Sequence, residues 1–167
     1  LPGSPCADCI AGTYAEAAGS PSCTDCAAGT FSTTVGSLNV TDCIDCAAGT
    51  FVDVTGSDDS TDCIDCAAGT FVDVAGSDDC SNCAAGTYVN VTGSDQASDC
   101  IDCPSGRFVA AEGSAGVTDC INCAVGKYID VTGSDDASDC VDCAAGRSAP
   151  LPGSPCADCI AGTYAEA

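Results

Sequence analysis

The sequence predicts a small disulfide-rich fold, mostly β and irregular. It is expected to be a linear solenoid-like array of short hairpin units, each clasped by one disulfide, with no helices. Three observations carry this. Eighteen cysteines fall among 167 residues, the density of stapled secreted modules. They form nine Cys-x-x-Cys pairs, starting at Cys6, Cys23, Cys43, Cys63, Cys80, Cys100, Cys120, Cys140 and Cys156. Successive pairs step by 17, 20, 20, 17, 20, 20, 20 and 16 residues, the mark of a repeat array. Finally, bulky side chains are scarce: four Phe, four Tyr, no Trp and no Met. Such a chain cannot fill one thick core, and cross-links replace it by restricting the unfolded state.

Residues 63–71, CIDCAAGTF, are the type unit. Counted from the second cysteine of a pair, position +3 is glycine in every unit, from Gly12 and Gly29 to Gly162. Position +5 is aromatic at Tyr14, Phe31, Phe51, Phe71, Tyr88, Phe108, Tyr128 and Tyr164, with Ser148 the exception. Position +10 opens a Gly-Ser step, as at Gly56-Ser57 and Gly133-Ser134. Length varies only between that step and the next cysteine, so this loop tolerates insertion. Residues 49–55, GTFVDVT, read as a short strand of β-branched and aromatic residues between turn formers. Residues 56–59 read as a turn, and the return toward Cys63 pairs back to make a hairpin. The glycine two residues before the aromatic implies positive φ or close backbone approach. The residue before each second cysteine is Asp or Asn throughout and is expected to make an Asx turn to backbone amides.

A longer period overlies the short one. Residues 151–167 repeat residues 1–17 letter for letter. Residues 1–150 are therefore expected to be one super-repeat of eight units, starting near residues 6, 23, 43, 63, 80, 100, 120 and 140. Residues 151–167 begin the next, in a longer protein with many copies.

Three chemistries compete for the paired cysteines. A thioredoxin-like site needs a helix N-terminus in a βαβ setting, and the pattern offers neither. A zinc ribbon has a suitable spacing. Nine pairs, however, do not divide into four-cysteine sites, and zinc leaves the regular aromatics unexplained. Structural disulfides remain. A bond within Cys-x-x-Cys is strained and closes nothing useful, so the economical pattern joins the second cysteine of one pair to the first of the next. That gives Cys9–Cys23, Cys26–Cys43, Cys46–Cys63, Cys66–Cys80, Cys83–Cys100, Cys103–Cys120, Cys123–Cys140 and Cys143–Cys156. Each is worth about 3 kcal/mol by loop entropy. Cys6 and Cys159 are left to bond with adjacent repeats. Sequence alone leaves other connectivities open.

The run Cys-x-x-Gly-x-Tyr/Phe to a later cysteine resembles the one-disulfide module of tumour necrosis factor receptor ectodomains. The tandem form, Cys-x-x-Cys-x-x-Gly-Thr-Phe followed by Gly-Ser and another pair, is similar to ephrin-receptor-like cysteine-rich repeats. The likeness spans the chain; each unit is a weak signal, and nine in phase are a strong one. The resemblance implies an extracellular or cell-surface location and the second-to-first disulfide pattern. It implies no catalytic residue. The departures are extreme regularity, acidic bias and Ser148 in place of an aromatic.

The charge is one-sided, with 25 acids against three cations and a net charge of −22. This disfavours nucleic acid and anionic membrane as partners, since both need basic surface. No apolar run reaches membrane-spanning length, so no membrane insertion is expected in this segment. Asn39-Val40-Thr41 and Asn90-Val91-Thr92 are N-glycosylation sequons. Asp58, Asp59 and Asp62, near Asp53, form an acidic turn, and Asp135, Asp136 and Asp139 repeat it near Asp130. Such carboxylates suit calcium, but no EF-hand spacing is present and a solvated acidic face is the favoured reading, so no cofactor is expected and calcium is the one candidate. Arg107, Lys127 and Arg147 all replace the usual threonine at +4 in successive units. They read either as an assembly stripe for the acidic face of another copy or as local partners of aspartates. Residues 148–155, with three prolines, are the irregular unit: a joint, a bend or a contact surface.

With no histidine and with oxidised cysteines, acid–base and nucleophilic catalysis lack their usual participants. The expected function is structural: the shaft of an extracellular filament or surface appendage, with copies of the chain along and beside its axis. The alternative is an adhesion or receptor-stalk binding module of a cell-surface protein.

Overall fold

The computed structural model describes residues 6–161 and 163; Gly162 and Tyr164 of the repeat pattern lie outside the described residues. The chain forms two compact units. One comprises Leu1–Cys66, Phe71–Ser81 and Thr92–Gln96; the other comprises Ala67–Thr70, Asn82–Val91 and Ala97–Ala167. Both use the same module. Eight disulfides close modules 1 to 8 in chain order: Cys9–Cys23, Cys26–Cys43, Cys46–Cys63, Cys66–Cys80, Cys83–Cys100, Cys103–Cys120, Cys123–Cys140 and Cys143–Cys156. Among the described residues Cys6 and Cys159 are free.

Module 3 shows how the sequence makes the unit. Cys46 is followed by Ala-Ala-Gly-Thr, and the Thr50 amide donates to the Ala47 carbonyl at 3.0 Å. Gly49 is third in this turn with φ +84°, the position where a type II turn demands glycine. The Thr50 hydroxyl donates to the same carbonyl at 2.8 Å, which explains the preference for Gly-Thr. Thr50–Phe51 then pairs antiparallel with Ile64–Asp65, Phe51 opposite Ile64 and Thr50 opposite Asp65. Eight such two-stranded hairpins form among the described residues. Each return strand is the pair of residues between two cysteines, so one Cys-x-x-Cys closes one module and starts the next.

The strand is shorter than the expected residues 49–55, covering only Thr50–Phe51. From position +6 onward the backbone bonds to the next module instead of to its own return segment, as when the Val72 amide donates to the Ser94 carbonyl at 3.2 Å. No α-helix occurs among the described residues. In four modules the return loop makes one 3-10 turn, at Val40–Asp42, Ser60–Asp62, Ala97–Asp99 and Ala137–Asp139. Aspartates cap these turns: Asp62 Oδ2 accepts from the Asp58 and Asp59 amides at 3.1 and 3.2 Å.

The interior is a series of small sulfur-centred clusters. The second cysteine of a pair is fully buried in the middle of the array, as at Cys66 and Cys83, and the +6 side chain beside it is buried as well, as at Val89 and Ile129. One cluster joins Cys103, Cys120 and Val109, and another joins Cys123, Cys140 and Ile129.

Candidate functional site

The recurring device in this chain is the joint between modules, seen clearly between modules 6 and 7. Four backbone hydrogen bonds cross it. The Gly106 amide donates to the Ile129 carbonyl at 2.7 Å and the Cys123 amide to the Gly106 carbonyl at 2.9 Å. The Val109 amide donates to the Ser134 carbonyl at 3.1 Å and the Gly133 amide to the Cys103 carbonyl at 2.9 Å. Phe108 and Ser134 form a parallel bridge. The Phe108 ring packs on the next module's Cys123–Cys140 bond and Ile129. Between modules 5 and 6, Tyr88 does the same on Cys103, Cys120 and Val109. In the first unit the joint of modules 1 and 2 carries the same four bonds, from Gly12 to Ser32, Cys26 to Gly12, Ala15 to Ser37 and Gly36 to Cys9.

The contact reaches one module further. A Cβ on Gly86 of module 5 would lie 2.2 Å from the Gly133 carbonyl oxygen of module 7. Gly86 is therefore required twice, for its φ of +86° and for this backbone approach.

The acidic residue before each second cysteine does not make the expected Asx turn. The side chain leans on the +10 glycine two modules beyond the one its return strand closes: Asp65 on Gly93, Asn82 on Gly113, Asp102 on Gly133. At the last of these, Asp102 Oδ2 also accepts from the Thr132 hydroxyl at 2.9 Å. The role of the +11 serine was not read from sequence either. Its carbonyl takes the neighbour's amide, and the side chain is buried at Ser37, Ser57, Ser94, Ser114 and Ser134. The hydroxyls of Ser57 and Ser94 have no partner. The unbroken Gly-Ser step was the available signal.

The outward surface shows where the remaining predicted residues lie. Lys127 Nζ meets Asp142 Oδ1 at 2.9 Å and Arg147 Nε meets Asp158 Oδ1 at 3.0 Å. Each pair is directly cross-strand in its own hairpin. Arg107 faces Asn122 and donates through Nη1 to the Val117 carbonyl at 3.4 Å. The three cations thus have local partners, aspartates for Lys127 and Arg147 and a backbone carbonyl for Arg107. The acidic turns also face inward on themselves. Asp59 Oδ1 accepts from the Thr61 amide at 2.8 Å and Asp136 Oδ1 from the Ser138 amide at 2.7 Å. These backbone bonds, aided by the neighbouring hydroxyls, hold both carboxyls below the usual carboxylate value. Among the described residues no group of three or more cysteine or carboxylate side chains is gathered as a metal site, and in the turns of Asp58, Asp59, Asp62, Asp135, Asp136 and Asp139 the oxygens of Asp59, Asp62 and Asp136 accept from turn amides. Both sequon asparagines, Asn39 and Asn90, are exposed.

A family profile described as tyrosine-protein kinase ephrin type A/B receptor-like matches residues 3–43, 49–100 and 95–140. The chain belongs to this ephrin-receptor-like family. No curated protein matches it. The ephrin-receptor-like repeat is a non-catalytic structural or adhesion module, and the chain is not an enzyme. A disulfide-stapled tandem array of this family belongs to the extracellular or cell-surface setting, where such bonds persist. No helix among the described residues is long and apolar enough to cross a membrane.

Proposed function

We propose that this chain is a stalk-type segment of a cell-surface adhesion or receptor protein, a covalently stapled spacer that carries a binding portion. One observation supports this most directly: the same set of cross-module hydrogen bonds recurs from joint to joint within each unit. A spacer needs that property, because each added module extends the same contact scheme without requiring a new core. Its rigidity comes from short-range bonds and sulfur clasps.

A second reading, the shaft of an extracellular filament, is favoured by the letter-for-letter return of residues 1–17 at residues 151–167. Identical blocks place identical contacts at equal intervals, which self-assembly requires. Sedimentation velocity and negative-stain imaging of the secreted, oxidised chain separate the two. The stalk reading expects single elongated monomers across micromolar concentrations. Uniform filaments with a fixed axial repeat select the shaft. A frictional ratio near that of a sphere overturns both.

A further inference from the structure

We infer that Asn39 and Asn90 are N-glycosylation sites, an inference that rests on the extracellular setting above. The chain has four asparagines, and the structure divides them into two kinds. Asn82 and Asn122 lie within Cys-x-x-Cys pairs, with side chains against Gly113 and Gly153 two modules beyond the ones their strands close. Asn39 and Asn90 lie on exposed loop backbone.

Sister modules show what stands at those two places otherwise. Asn90-Val91-Thr92 aligns with Asp53-Val54-Thr55 of module 3 and Asp130-Val131-Thr132 of module 7. Asn39-Val40-Thr41 aligns with Asp59-Ser60-Thr61 and Asp136-Ala137-Ser138. At both sites asparagine replaces an aspartate, and the hydroxyl residue two positions on is present in the sister modules for reasons of its own. Thr132 bonds Asp102, and Thr61 bonds Asp59 through amide and hydroxyl. The single change from Asp to Asn completes an acceptor sequence at each place. At position 39 it also gives up a carboxylate that caps its turn in modules 3 and 7.

The geometry has room for sugar. Val89, next to Asn90, is buried, and side chains alternate along extended backbone, so Asn90 points outward. Neither Asn39 nor Asn90 contributes to a cross-module backbone bond. The middle valines, Val40 and Val91, are about half exposed and offer apolar surface beside the first sugar ring. The donor is an oligosaccharide carried on a polyprenyl diphosphate. The asparagine Nδ2 forms a bond to sugar C1, the C1–O bond to the diphosphate breaks, polyprenyl diphosphate leaves, and the amide nitrogen loses one proton.

The test uses the full chain secreted from a glycosylating eukaryotic host. Peptide N-glycosidase treatment in 18O-water should return labelled aspartate at positions 39 and 90. N39Q and N90Q should each remove one glycan, and D53N, which completes Asn-Val-Thr on the same scaffold, should add one. Unmodified Asn39 and Asn90 in a chain with all eight disulfides formed would overturn the glycan sites alone. An unmodified chain with free thiols would overturn the extracellular reading along with them.

Discussion

Gly86→Ala tests the contact between alternate modules. The substitution carries two separable costs. Gly86 has φ +86°, and a residue with a Cβ in the left-handed region costs about 1–2 kcal/mol. The new Cβ would also lie 2.2 Å from the Gly133 carbonyl oxygen and 2.9 Å from its carbon. Backbone cannot yield as a side-chain tip does, so overpacking adds about 1–3 kcal/mol. Gly126 is the control, with φ +82° and no described atom within 4 Å of the position a Cβ would take. Gly126→Ala should therefore cost only the first term. The assay is native-state hydrogen exchange with disulfides intact, read at the Gly133 amide, which donates to Cys103 at 2.9 Å. In Gly86→Ala this amide, 47 residues away in sequence, should open about 5- to 150-fold more readily. Unchanged Gly133 protection, or equal total losses in the two variants, would refute the through-space contact.

Three further outcomes follow from the same geometry. Removing the module 6 clasp by C103S together with C120S should cost about 3 kcal/mol, measured by denaturant unfolding, because the bond closes a separation of 17 residues. Asn82→Asp should place a carboxylate beside Glu112, which occupies the position that Thr132 holds next to Asp102. Exchange at Gly113 should then rise about two- to fivefold at neutral pH, and E112T should reverse it; no reversal would exclude charge as the cause. Asp59 titrates below its ordinary value of 3.8, so its cap is intact above that pH and is lost as pH falls through the lowered value. Proton NMR should show the Thr61 amide losing its bonded shift in acid, whereas D59N should show no such transition.

How much was legible in the sequence depends on which partner each residue has. The positive φ at Gly49 was legible because its turn is local, closed by the Thr50 amide on the Ala47 carbonyl. The hairpin was visible because a β-branched and aromatic stretch lies between turn formers, although the return strand is Ile64–Asp65, just past Cys63. The strand length was not, since the partner of the Val72 amide is Ser94, in another module. The aspartates before each second cysteine misled for the same reason. An Asx turn is what an isolated Asp does, whereas Asp102 finds Thr132 thirty residues on. At Lys127 and Arg147 the sequence offered a long-range and a short-range reading, and the cross-strand aspartates Asp142 and Asp158 satisfy the short-range one.

The approach of Gly86 to Gly133 sets a minimum size for anything cut from this array. The smallest excerpt that still contains this approach has three modules, since it joins a module to the one two further on. A module added above that size meets the same cross-module backbone bonds as its neighbours. A gene encoding such a chain can drift in length by recombination between its own copies while the folding problem stays the same.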